Sequence, residues 1–246
     1  MKKILLVEDN PRYIAAAVRT LKGKNFSVCV AHDYNSARLS LDELKLDAAI
    51  IDCFFSRATS FGNISFGRLA IEKMAKEDHN EQRARKYLQS IEKYVNLDDL
   101  EVKTLARMYG YYHLRDDFMN GTSYNVIKCV GEINGDVATK ALKEAYGVVF
   151  KNGEYKDYFG DLEKDIVKNE SNQALGILVA EEAQKLELPF VLATSTYHHD
   201  SITQPIANYA NKRGWTLVDC QPGTLEEKSH SEFWEKVLRE LNNKLI

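Results

Sequence analysis

The chain has 246 residues, 44% of them hydrophobic, enough for a packed core in one large domain or two small ones. A formal charge of -3 sets up no field that would draw nucleic acid or an anionic membrane, so neither is an expected partner. No apolar run is long enough to span a bilayer, the run after Met1-Lys2-Lys3 is too short for a signal peptide, and Cys29, Cys53, Cys129 and Cys220 lack CxxC spacing, so a reduced cytoplasm is the expected setting.

Ile4-Leu5-Leu6-Val7 is an apolar run that stops at Glu8-Asp9 and turns at Asn10-Pro11. That pattern predicts a strand buried on both faces, with its two acids at the carboxyl edge of a parallel sheet, where open α/β sheets place their sites. Pro11 suits the first position of a helix capped by Asp9 or Asn10, and Ile14, Ala17, Val18 and Leu21 give it an apolar face up to Gly23. Residues 26–31 read as a second strand, and Ala37, Leu41 and Leu44 as the face of a second helix capped by Asn35 or Ser36. Residues 48–52 form a third strand, ending in Asp52. Strand, helix, strand, helix, strand with short connections is the rhythm of a doubly wound parallel sheet.

The rhythm breaks at residue 56 and resumes near Asn172. The interval 56–171 has no proline, charges of both signs and many tyrosines, Tyr109-Gly110-Tyr111-Tyr112 among them. Helical spacing recurs in it, at Ile71, Met74 and Ala75, at Tyr87, Leu88, Ile91 and Val95, at Leu100, Leu105 and Met108, and at Val137, Ala141, Leu142 and Ala145. It is expected to be an inserted, mainly helical lobe. Afterwards come a helix through Leu175, Leu178, Val179, Glu182, Ala183 and Leu186, a strand at 189–194, a helix at 205–212 closed by Gly214, a strand at 215–220 and a last helix from Ser231. The expected layout is an α/β domain at 1–55 plus 172–246, with the lobe at 56–171 between its halves.

If the first and third strands are neighbours, Glu8, Asp9 and Asp52 share one pocket. Three carboxylates at that range repel unless a hard divalent cation such as Mg2+ neutralises them. In these features the outer 130 or so residues resemble the receiver domain of two-component response regulators, the CheY-like family. The resemblance implies a flavodoxin-like five-stranded parallel sheet of order 2-1-3-4-5. It also implies a phosphoacceptor at Asp52, Mg2+ held by Glu8, Asp9, Asp52 and the Phe54 backbone carbonyl, and a switch hydroxyl at Thr194. At the position of the family's lysine before a cis proline stands Gln221-Pro222. His198-His199-Asp200 resembles a divergent receiver-like group that carries this triplet after strand four.

The expected activity is a phosphorelay in which Asp52 takes a phosphoryl group from a histidine kinase, at most self-phosphorylation from a donor. With no element after the last helix, output is expected through protein contacts of the lobe. Two other classes remain open: a pseudo-receiver that binds a partner without taking phosphate, and a metal-dependent hydrolase in which His198 or His199 joins the acidic trio. More modest roles stand beside these. Asp9 or Asn10 serves as a cap, Thr194 as a polar strand end, Asp200 or Ser201 as the next helix cap, Cys53 as core, and the tyrosines as half-buried packing.

Overall fold

The computed structural model describes residues 1–57, 63–78, 82, 158–170, 172–221 and 227–245. The chain divides into two compact units, Met1–Met74 with Asp161–Ile246, and Ala75–Gly160. In the second unit the Gln82 side-chain amide donates to the Ala75 carbonyl at 2.8 Å. Most of the expected lobe, including the helical patterns from Tyr87 onward and the Tyr109 to Tyr112 cluster, lies outside the described residues, as do Cys129 and Pro222.

The first unit is built on five parallel strands in the order β2-β1-β3-β4-β5: β1 Lys3–Val7, β2 Ser27–Ala31, β3 Ala48–Asp52, β4 Phe190–Ala193 and β5 Leu217–Val218. This is a flavodoxin-like α/β topology. The described helices are α1 Pro11–Gly23, α2 Tyr34–Glu43, α3 Asn63–Glu77, α4 Tyr158–Lys168, α5 Gly176–Lys185, α6 Gln204–Lys212 and α7 Ser231–Asn242, of which α3 and α4 cross the boundary between the units. Helices α1 and α7 cover one face of the sheet; α2, α5 and α6 cover the other.

Ile4, Leu5, Leu6 and Val7 are all fully buried because β1 has a neighbour on each side and a helix layer above and below. Each such side chain contributes about 1.5–3 kcal/mol over leaving it in water. Alternation sends Ile4 and Leu6, with Ala48 and Ile50, toward Phe233, Trp234, Val237, Leu238 and Leu241 of α7. Val218 and Cys220 join this core from the far side of the sheet.

Local chemistry sets the helix ends. Asn10, not Asp9, caps α1, its side-chain oxygen accepting from the Arg12 N–H at 3.0 Å. Helix α2 starts earlier than its spacing predicts: Asp33 is the cap, and Ser36 completes a capping box with it as the third helical residue. Asp200 does not cap α6, which begins after Thr203 with no side-chain cap. It closes a tight turn instead, taking the Tyr197 N–H on its carboxylate and the Thr203 and Gln204 N–H groups on its carbonyl. The last strand is two residues rather than six, because as an edge strand it has only β4 to pair with. Within the expected lobe, Ile71, Met74 and Ala75 are buried on α3.

Candidate functional site

Register builds the site. Val7 pairs with Ile51, so one step further on Glu8 and Asp52 stand side by side. Both continue the alternation of Leu6 and Ile50 and point to the α1–α7 side, while Cys53 turns the other way and is buried. Asp9 follows at the end of the strand, and one carboxylate oxygen from each of Glu8, Asp9 and Asp52 lies within 4.8 Å of the others. Glu8 and Asp52 are buried and Asp9 is half-buried.

Into this acidic group reaches a cation from beyond Gln221, the position where the receiver resemblance places a lysine. Lys228, 1% exposed, lies on a short 3-10 turn, Glu227–Ser229, just before α7. Its ammonium is 2.8 Å from Asp52 Oδ1, 2.5 Å from Glu8 Oε2 and 3.4 Å from the Ala193 carbonyl. The turn is pinned at two points: the Trp234 indole N–H donates to the Lys228 carbonyl at 2.6 Å, and the Gln221 backbone N–H donates to the Glu227 carboxylate at 2.7 Å. Gln221 itself is exposed, and its backbone N–H ties it to the turn that carries Lys228. A signal was present in the chain, since Lys228 is the one lysine or arginine between Cys220 and Lys236.

Charge and burial compete here. Burial, reinforced by the Glu8 charge, pushes the Asp9 carboxyl up to about 6. Burial also raises Asp52 above the usual carboxylate range, against the pull of the Lys228 ammonium. Desolvation works against the Lys228 charge, but Asp52 and Glu8 outweigh it and hold the amine protonated. Glu8 Oε2 accepts no well-oriented hydrogen bond although the ammonium is beside it. Three converging carboxylates are the donor type that a hard cation such as Mg2+ prefers, and the Lys228 ammonium already stands against two of them.

The backbone behind Asp52 is held closely. The Gly176 N–H, at the start of α5, donates to the Cys53 carbonyl at 3.2 Å. A Cβ on Gly176 would fall inside contact distance of the Asp52 carbonyl and 2.8 Å from Cys53 Cα, so only glycine fits. Phe54 is buried just beyond, and Phe55 pairs with Ala174.

Thr194 is fully buried one residue past the Asp52–Ala193 register pair. Its hydroxyl is 2.8 Å from that of Thr196, which in turn accepts from Thr203 at 2.6 Å. His198 is not joined to the acidic trio: its Nδ1 lies 2.6 Å from Asp219 Oδ2, and its backbone N–H donates to the same oxygen at 3.0 Å. His199 packs at an angle against His198, with ring centroids 4.0 Å apart and planes 46° from parallel.

No family model, curated protein or solved structure matches the chain. The flavodoxin-like sheet therefore stands on the strand order itself. Among the described residues, no helix is long and apolar enough to cross a membrane.

Proposed function

We propose that this is a receiver-like signalling protein in which Asp52 accepts a phosphoryl group and a protein partner reads the change through the segment inserted after β3. One observation carries the reading: a buried lysine bonded to the aspartate at the end of the central strand, beside an acidic pair. Glu8, Asp9, Asp52 and the Phe54 carbonyl would hold Mg2+, which when bound neutralises charge on the phosphoryl oxygens. Asp52 must be ionised to attack, and Lys228 favours that form against the cost of burial. An Asp52 oxygen forms the bond to phosphorus as the bond to the donor's imidazole nitrogen breaks; the imidazole leaves with the electron pair and takes up a proton. Lys228 then pairs with a phosphoryl oxygen, and Thr194 turns its hydroxyl from Thr196 toward another. Gln221 has no direct part in this scheme.

The test is incubation with acetyl phosphate and Mg2+, followed by intact-mass measurement. The proposal expects a gain of one phosphoryl group that hydroxylamine removes and Asp52→Asn abolishes; no gain would refute it. The second reading is a pseudo-receiver, a binding module that never takes phosphate. It is favoured by the Lys228 ammonium, which already compensates Glu8 and Asp52 without an added ion. On that reading Asp52→Asn leaves partner binding unchanged.

A further inference from the structure

We infer that the cleft between α6 and the edge strand β5 binds a small, neutral, hydroxyl-rich molecule about the size of one sugar ring. The cleft has a volume of about 340 Å³, at the lower end of the range for small-molecule sites. It lies away from the α1–α7 side that holds Lys228, and it rests on residues the phosphoryl-transfer reading does not use.

Its walls follow from two periodicities. Gln204, Asn208 and Asn211 recur at helical spacing and bring three carboxamides to one side of α6. Trp215, Leu217 and Asp219 alternate along the β5 segment and face them, while Val218 and Cys220 turn to the opposite core. His198 closes the end next to Asp219.

The bonds already made leave defined groups over. Asp219 Oδ2 takes both His198 contacts. Gln204 donates to Asn208 Oδ1 at 2.9 Å, so the Asn208 amide hydrogens remain for a ligand. Trp215 lines the cleft while only 8% exposed, so its indole reports on what fills the space beside it.

Ligand chemistry follows by elimination. Among the described residues no lysine or arginine lines the cleft, so a phosphate or carboxylate would be desolvated without a counter-charge. The one carboxylate is engaged by an imidazole, which leaves little to hold a cation. Ala207 and Leu217 are too small an apolar lining for a greasy ligand. Carboxamides and an imidazole offer donors and acceptors side by side, and a hydroxyl is the group that uses both.

The experiment is a titration of the full chain with a panel of neutral hexoses and hexitols, followed through the two tryptophan indole N–H signals in nitrogen-15 spectra, with Trp215→Phe to assign them. The Trp215 signal should shift saturably while that of Trp234, in the α7 core, stays put. Asn208→Leu should weaken the binding by roughly tenfold with the Trp234 signal unchanged. Asp52→Asn should bind as the parent does, so this outcome is independent of phosphoryl transfer. The inference is overturned if no panel member moves the Trp215 signal at tens of millimolar, if Asn208→Leu binds as well as the parent, or if inorganic phosphate alone gives the saturable shift.

Discussion

Lys228→Met keeps an unbranched side chain of similar length and removes the charge, leaving Glu8 and Asp52 facing each other in a site where Lys228 is 1% exposed. Breaking a buried ion pair from one side costs about 3–5 kcal/mol. Proton uptake limits the loss. Each unit by which a carboxyl's pKa exceeds the pH saves about 1.4 kcal/mol, and Asp52 is already raised by burial. The expected loss near neutral pH is therefore about 3 kcal/mol, a fall in Tm of roughly 6–12 °C for a chain of this size. The sign with pH follows. Without the ammonium, Asp52 in the folded state rises further above its unfolded value, so the folded variant binds more protons and regains stability as pH falls. By about pH 5 the deficit should shrink to about 1 kcal/mol. Urea unfolding with EDTA present, followed by tryptophan fluorescence, measures it, since Trp215 and Trp234 both lie in the sheet unit. A variant within about 1 kcal/mol of the parent at neutral pH, or an equal deficit at pH 5, would refute the buried-cation account.

Two further substitutions test neighbouring parts of the argument. The Asp9 carboxyl, pushed to about 6 by burial and by Glu8, favours folding when protonated; that contribution is full below its ordinary value of 3.8 and is lost as pH rises through 6. In EDTA, Asp9→Asn should therefore exceed the parent above pH 6, by about 1 kcal/mol once partial exposure is allowed for, and match it near pH 4; a variant less stable at pH 7.5 would contradict this. Gly176→Ala places a methyl against the Asp52 backbone and should cost about 1–3 kcal/mol as overpacking, whereas an unchanged Tm would mean the end of β3 has slack.

The acids of the pocket, Glu8, Asp9 and Asp52, could be read from the sequence. Apolar runs bounded by turn signals read as strands buried on both faces, which places Glu8 and Asp52 at strand ends; that they emerge together follows from the pairing of β1 with β3. The compensating charge could not be read in the same way. Lys228 arrives from a turn far along the chain, and its pairing with Asp52 depends on how that turn packs between α1 and α7, which no periodicity encodes. The cap of α2 was misplaced because Asn35 and Ser36 both look like caps, whereas Asp33 is the residue whose extended backbone lets its carboxylate reach the Ser36 N–H. The sequence leaves His198 open as either a polar loop residue or a partner for the acids; its partner is Asp219, one residue past the end of the short strand β5.

Helices α5 and α6, on the side of the sheet opposite Lys228, converge on one buried carboxylate. Helix α5 abuts the Asp52 backbone at Gly176 and carries Glu181; α6 follows the Thr194–Thr196–Thr203 hydroxyl chain and carries Tyr209, whose hydroxyl donates to Glu181 at 2.6 Å. Glu181 also pairs with Lys73 of α3, the helix that leads into the inserted segment. A shift of either helix would change what Lys73 pairs with, giving a change at Asp52 a packed route to the base of the insertion; this is a hypothesis motivated by that convergence. Although burial opposes its charge, hydrogen bonds from Lys73 and Tyr209 hold Glu181 below the ordinary range, so its contribution is present at neutral pH and lost on acidification. Glu181→Gln keeps an acceptor for Tyr209 and removes the charge that holds Lys73, at a cost of about 1–3 kcal/mol near neutral pH. The decisive measurement is hydrogen exchange in α3: Asp52→Asn should alter its protection in the parent and leave it unaltered in Glu181→Gln. Equal responses in both backgrounds would show that α3 is not coupled through Glu181.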